Sequence, residues 1–156
     1  MVELGAAGGR VGRALPGSIA LDWASEGLRD ARARVQGDVR ALPVRDASVD
    51  AIVAIHVLGH LWARERAPAL REWARALKPD GALILEVFAQ DDARADAGDE
   101  VEPGTRLRAG IPTHAFARAE LDALLHEWRI EITQDERRHR WGTRRVLRAR
   151  CAPRRA

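Results

Sequence analysis

MVELGAAGGRVGRAL, residues 1–15, is the stretch that decides the architecture. Val2 and Leu4 are out of place in a polar, disordered tag. Gly5, Gly8 and Gly9 argue against a helix, because each costs roughly 1 kcal/mol against Ala in a helix interior. A short strand over residues 2–4, a tight turn and a helix over residues 9–15 suit the order of residues better. Glycines in such a turn let a ligand approach the backbone and present the amides of a helix N-terminus. The dinucleotide spacing G-x-G-x-x-G would need glycine at 5, 7 and 10, where the chain has Gly5, Ala7 and Arg10. The shorter G-x-G-x-G fits better, with Gly5, Ala7 and Gly9, and Glu3 two residues before the first glycine.

Working outward, residues 18–22 (SIALD) read as a second strand ending on Asp22, and Ser25 could cap a helix over residues 26–34. Residues 35–38 (VQGD) read as a brief third strand ending on Asp38. Residues 49–58 (VDAIVAIHVL) are a near-continuous apolar run, as a buried parallel strand requires. Residues 62–77 have helical spacing, with Leu70, Trp73 and Leu77 on one face, and residues 82–88 (ALILEVF) are another buried strand. Strands alternating with helices imply a parallel sheet with helices on both faces. Residues 90–113 are polar and rich in Asp, Gly and Pro, the composition of a long functional or mobile loop. Residues 117–128 return to helix, and residues 130–137 and 144–151 read as two closing strands joined by a hairpin at 139–143. The expected fold is α/β: a Rossmann-like, doubly wound, mostly parallel sheet with an antiparallel C-terminal hairpin, in three α/β/α layers.

The composition is globular, with 46% hydrophobic and 31% charged residues. A length of 156 residues is expected to form one domain over 1–156. No apolar run approaches the ~20 residues of a membrane span, and no signal peptide precedes the first motif, so the expectation is a cytoplasmic protein without membrane partners. Cys151, the single cysteine, excludes an internal disulfide and a cysteine-cluster zinc site. Residues 137–156 carry nine arginines and no acid. Such a tail suits an anionic partner, nucleic acid included, or is a solvated strand face with a frayed end.

ELGAAGGR, ALDWASEGL, GDVRALPVRDASVDAIVAIHVLGHL and LREWARALKPDGALILEV follow one another in the order and spacing of the class I S-adenosylmethionine-dependent methyltransferases, which residues 2–87 resemble. The closing segment, EWRIEITQDERRHRWGTRRVLRARCA, resembles the small-molecule branch of that family, the tellurite-resistance type included. The resemblance implies S-adenosylmethionine as cofactor and assigns roles to particular residues. Glu3 would reach its amino-acid part, directly or through water, and Gly5, Ala7 and Gly9 would form the turn. Asp22 would accept from both ribose hydroxyls, and Trp23 would offer an apolar face to the adenine. Asp38 would accept from the adenine amino group, the Val39 amide would meet a ring nitrogen, and His56 would lie beside the methionine portion. Relatives place helices before the first strand. The sequence begins at that strand, so the expectation is either that the chain is a fragment or starts late, or that those helices are missing and the pocket is more open than usual.

The implied activity is in-line methyl transfer to a small-molecule acceptor, with His56 or His114 as the base where the nucleophile arrives protonated. The histidine at 114 also reads as an ordinary surface residue. Two alternatives stay open: a nucleic-acid methyltransferase that grips phosphates with its arginine-rich C-terminus, and a non-catalytic binding domain that kept the fold. Ala7 stands where relatives usually have glycine, which an ordinary backbone dihedral would tolerate. Asp91 and Asp92 follow the fifth strand, where substrate contacts arise in this fold, but acids in a polar loop are usually solvated.

Overall fold

The computed structural model describes residues 1–7, 10–15 and 17–154. Its centre is five parallel strands, β1 (Val2–Leu4), β2 (Ile19–Asp22), β3 (Ala33–Gln36), β4 (Val49–Ile55) and β5 (Leu77–Ala89), in the order β3-β2-β1-β4-β5. β6 (Asp99–Glu102), β7 (Thr105–Arg108) and β8 (Ile111–Phe116) form an antiparallel ladder, which joins the end of β5 where Phe88 and Ala89 pair with Ala115 and Phe116. β9 (Trp128–His139) and β10 (Gly142–Pro153) are the antiparallel hairpin, and β10 runs antiparallel to β5. The strand order reverses between β1 and β4, which opens a crevice at the carboxyl ends of the parallel strands.

Strand alternation assigns the core. Leu4, Ala54 and Leu85 sit side by side in register, as do Val2, Ile52 and Leu83. All six are buried and face α2 (Ala63–Ala76) and α3 (Arg118–Leu124). Ala69, Leu70, Trp73 and Ala76 recur at helical spacing along α2 and complete this layer. Trp73 is fully buried, and its indole Nε1–H donates to the Val39 carbonyl at 2.8 Å, so its one polar atom is satisfied. No helix among the described residues is long and apolar enough to cross a membrane.

The opposite face is covered differently. α1 (Arg10–Ala14) and a 3-10 turn at Ser25–Leu28 lie over Glu3 and Ala20. Further along the sheet, Ile84 on β5 is 41% exposed, and Arg148 and Arg150 on β10 are exposed. The second helical layer expected from the sequence is therefore partial.

Two other expectations are corrected. Residues 26–34 are not a helix: the 3-10 turn ends at Leu28 and β3 begins at Ala33, because Gly27 and the exposed Arg29, Asp30 and Arg32 supply no apolar stripe to bury. Residues 90–113 are not a loop. Gly98, Gly104 and Gly110 take φ of 95°, 70° and 81° and punctuate three short strands. The turn residues were visible in the sequence, but the four-residue strands between them were too short to show a period.

Candidate functional site

The crevice begins with Gly5, at φ 61°. A β-carbon there would lie 2.6 Å from Val57 Cγ2, so glycine is required both for the dihedral and for contact with the turn that follows β4. Glu3 is 4% exposed and accepts from the Val11 amide at 3.2 Å and the Gly12 amide at 2.9 Å. Both its oxygens are occupied at the start of α1, where a carboxylate offsets the helix dipole. It thus fixes the start of α1, whereas the resemblance expected it to reach the amino-acid part of the cofactor. Ala7 has φ 41°, which corrects the expectation of an ordinary dihedral. Gly9 lies outside the described residues.

Asp22 ends β2, with Oδ2 accepting from the Ala7 amide and Oδ1 from the Ala24 amide, both at 3.0 Å. A β-carbon on Gly27 would lie 2.5 Å from Oδ2, so a second glycine keeps room around this carboxylate. Each oxygen retains a second lone pair for a hydroxyl donor. Trp23, 74% exposed, lines a cavity of about 260 Å³ with Asp38, Val39, Arg40, His60, Leu61, Trp62 and Glu65. The structure thus brings together Trp23, Asp38 and Val39 as the resemblance implied. It adds Arg40, whose Nε lies 2.9 Å from Asp38 Oδ1 and which also pairs with Glu65. The Arg40 hydrogen bond holds the Asp38 carboxyl below its usual range against the opposing effect of burial. Arg40 follows an ordinary turn in the sequence, and nothing there marked it.

His56 follows β4 with φ 63°, a left-handed conformation that costs of order 1–3 kcal/mol in a non-glycine residue and clusters at functional sites. Its ring stacks on Phe88, centroids 3.8 Å apart and planes 13° from parallel. Its Nε2 lies 3.4 Å from Glu86 Oε1, and Glu86 also accepts from Arg148 Nε at 2.7 Å. His56 opens onto a cavity of about 610 Å³ lined by β4, β5 and the outer half of the β9–β10 hairpin, within the size range of small-molecule sites.

His114 corrects the sequence reading. It lies on β8, 3% exposed, with Nδ1 2.8 Å from the Thr105 hydroxyl and Nε2 2.8 Å from Glu120 Oε1. Arg66 donates to the same Thr105 hydroxyl at 3.0 Å. That hydroxyl can then donate to His114 Nδ1, leaving Nε2–H to donate to Glu120. Burial opposes ionisation of Glu120, but the hydrogen bond from His114 and the Arg66 charge outweigh it and set its carboxyl below the usual value. With both nitrogens engaged, His114 fastens β7 and β8 to α2 and α3, and it does not line the cavity beside His56.

Asp92 corrects it too. It is 6% exposed and accepts from the Arg145 amide at 2.7 Å and the Arg94 amide at 2.9 Å, and its Oδ2 lies 3.1 Å from Arg144 Nε. It ties the turn after β5 to the hairpin tip, a long-range partnership that no local pattern reveals.

A glycine turn, an acid at the end of β2 and an acid after β3, all along the carboxyl edge of a reversed parallel sheet, define a Rossmann-like nucleoside-binding protein of the methyltransferase class. A family model described as a methyltransferase domain matches residues 2–85. The chain belongs to this methyltransferase family, and S-adenosylmethionine is the cofactor for which its cradle is built.

Among curated relatives, a malonyl-[acyl-carrier protein] O-methyltransferase of Xylella fastidiosa is 34% identical over 102 residues, 54% of this chain and 34% of that protein. A tRNA (carboxymethyluridine(34)-5-O)-methyltransferase of Mus musculus is 35% identical over 74 residues, 47% of this chain and 11% of that protein. The match thus spans only about a third of the first relative and about a tenth of the second. Among solved structures, a SAM-dependent methyltransferase of Methanosarcina mazei superposes with a TM-score of 0.79 at 21% identity, over 97% of this chain and 91% of its own. The 1,6-didemethyltoxoflavin-N1-methyltransferase of Burkholderia thailandensis, with 1,6-didemethyltoxoflavin and S-adenosylhomocysteine bound, superposes with a TM-score of 0.75 at 19% identity, over 98% and 70%. At these identities the superpositions establish the shared fold.

Proposed function

We propose that this chain transfers the methyl group of S-adenosylmethionine to a small-molecule acceptor seated in the cavity beside His56. The observation that carries the reading is the contact between the two halves of the crevice. Gly5 of the cofactor turn packs against Val57, and His56, one residue earlier, lines a cavity of about 610 Å³. When bound, the cofactor supplies an electrophilic methyl carbon, so the protein's work is to hold a nucleophile in line with it. Asp22 would hold the ribose, Trp23, Asp38 and Val39 would hold the adenine, and Gly5 and Ala7 would admit the rest. His56, whose ring Glu86 orients at Nε2, is the candidate base for an acceptor that arrives as O–H or N–H. The toxoflavin-type neighbour, whose acceptor is a small molecule, supports this reading.

The arginine-rich hairpin and the tRNA-methylating relative favour a second reading, with nucleic acid as acceptor. One experiment separates the two. The protein is incubated with methyl-labelled S-adenosylmethionine and a cell extract divided into a small-molecule filtrate and an RNA fraction. Label entering the filtrate, and lost in Asp22→Ala, supports the proposal. Label entering only RNA selects the second reading, and label entering neither fraction, with no cofactor bound, refutes both.

A further inference from the structure

The cavity beside His56 has a distinctive charge balance. Its walls alternate along three strands: Glu86 on β5, Arg144, Val146 and Arg148 on β10, and Asp135, Arg137 and His139 on β9. Every carboxylate in the lining is matched. Glu86 accepts from Arg148 Nε at 2.7 Å, Asp135 pairs with Arg148 at 2.6 Å, and Glu136 pairs with Arg145 at 3.3 Å. Arg144 is matched from outside the cavity by buried Asp92. Among the described residues, the Arg137 side chain has no hydrogen bond or ion pair. A cationic guest would therefore meet no available carboxylate, whereas an anionic guest would meet an arginine with all its donors unspent.

The same walls are rich in flat faces. His56 stacks on Phe88, and the Arg144 guanidinium lies 4.5 Å from the Phe88 centroid and 5.0 Å from that of Trp141. His139 stacks on Trp141 at 4.6 Å with planes 9° apart, and Arg94 lies 3.8 Å from the Trp141 centroid. Trp141 remains 40% exposed. These planes run from the base candidate to the hairpin tip and favour a conjugated ring over a flexible chain.

We infer that the acceptor is a planar, conjugated small molecule bearing a carboxylate or similar anionic group, its ring along the exposed edge of the His139–Trp141 stack and its charge at Arg137. The inference rests on the proposed use of this cavity for the acceptor. Its test is calorimetric titration of the intact protein with three probes of one shape, naphthoate, naphthalenemethanol and naphthylmethylamine, alongside a separate titration with S-adenosylhomocysteine. Naphthoate should bind about tenfold more tightly than the alcohol, the order expected for a hydrogen bond to a charged group, and the amine should bind most weakly. Arg137→Gln should bring naphthoate to the level of the alcohol, Arg137→Lys should restore part of the difference, and Trp141→Leu should weaken all three probes alike.

Equal binding of the three probes, a preference for the amine, or unchanged naphthoate binding in Arg137→Gln would overturn the assignment. So would binding of a single-stranded RNA oligonucleotide without binding of naphthoate, which would put nucleic acid in its place. The cofactor titration keeps the two readings apart. Naphthoate selectivity without S-adenosylhomocysteine binding supports the anion site and sinks the transfer reading, whereas cofactor binding without selectivity does the reverse.

Discussion

At Ala7 a β-carbon sits on a left-handed backbone, φ 41°, in the turn proposed to face the cofactor. That conformation costs roughly 1–2 kcal/mol for an L-residue with a β-carbon. Ala7→Gly should therefore stabilise the folded turn by about 1 kcal/mol, less the extra freedom glycine gives the unfolded chain. S-adenosylhomocysteine affinity and the thermal midpoint should be unchanged or higher. A lower value of either would show that the methyl group of Ala7 makes a contact worth more than the strain. Asp22 sits opposite, held by the Ala7 and Ala24 amides. Asp22→Ala removes the proposed ribose acceptors and also releases those two amides. Cofactor binding should weaken by about 1–3 kcal/mol, and Asp22→Asn should lose less because one acceptor oxygen survives. Titration calorimetry reads both, and equal losses in the two variants would mean that the amides, not the ribose, are what Asp22 serves.

Among the elements, β6–β8 departs furthest from what composition suggests. The sequence of residues 90–113 has the marks of a mobile lid, but β7 and β8 pair along four consecutive residues, and Thr105, His114, Arg66 and Glu120 join them to α2 and α3. Backbone amides paired between β7 and β8 should be protected from hydrogen exchange without any ligand. Thr105→Val, which keeps the shape and removes the shared hydroxyl, should speed their exchange while leaving β1, β2 and β4 unchanged. Exchange as fast as that of the surface turns in the unaltered protein would restore the lid.

The contrast explains what could be read in advance. β1, β2 and β4 were legible because each is an apolar run ending at a chemical marker, Gly5 after β1, Asp22 ending β2 and His56 after β4; β3, expected over residues 35–38, lies at Ala33–Gln36, because its largely exposed residues carry no apolar pattern that fixes its bounds. Those markers lie along the crevice proposed to hold the cofactor. Asp92, Arg40 and His114 were not legible, because their roles depend on partners far along the chain, Arg145 for Asp92 and Glu65 for Arg40, or on burial that local composition does not encode. His114 read as a surface residue because it closes a polar segment, yet Thr105 and Glu120, neither adjacent to it in sequence, engage both its nitrogens in a buried site.

The molecule as a whole is joined across its reversed sheet by the segment between β3 and β4, which carries Asp38 and Val39 and is clamped to α2. Glu72 accepts from the Leu42 amide at 2.7 Å and from Arg75 Nε at 2.8 Å, and Arg75 also donates to the Val44 carbonyl at 3.0 Å. The Arg75 hydrogen bonds lower the Glu72 carboxyl from its ordinary 4.5; burial opposes this, and the Leu42 amide adds to the lowering. A carboxyl whose value is lower in the folded state gives stability that is fully present above its unfolded value and is lost as pH falls through the folded one. Glu72→Gln keeps an acceptor for Leu42 but faces Arg75 without a charge. At neutral pH it should cost about 1–3 kcal/mol and should weaken S-adenosylhomocysteine binding, because Asp38 and Val39 lose their anchor. As the pH falls below 4.5, the stability curves of the two proteins should converge, since the unaltered chain then loses the same charge. Denaturant midpoints across the acid range measure this. Curves that stay parallel down to the lowest pH would show that Glu72 acts through shape alone, and that the clamp on the cofactor edge is not an ionic one.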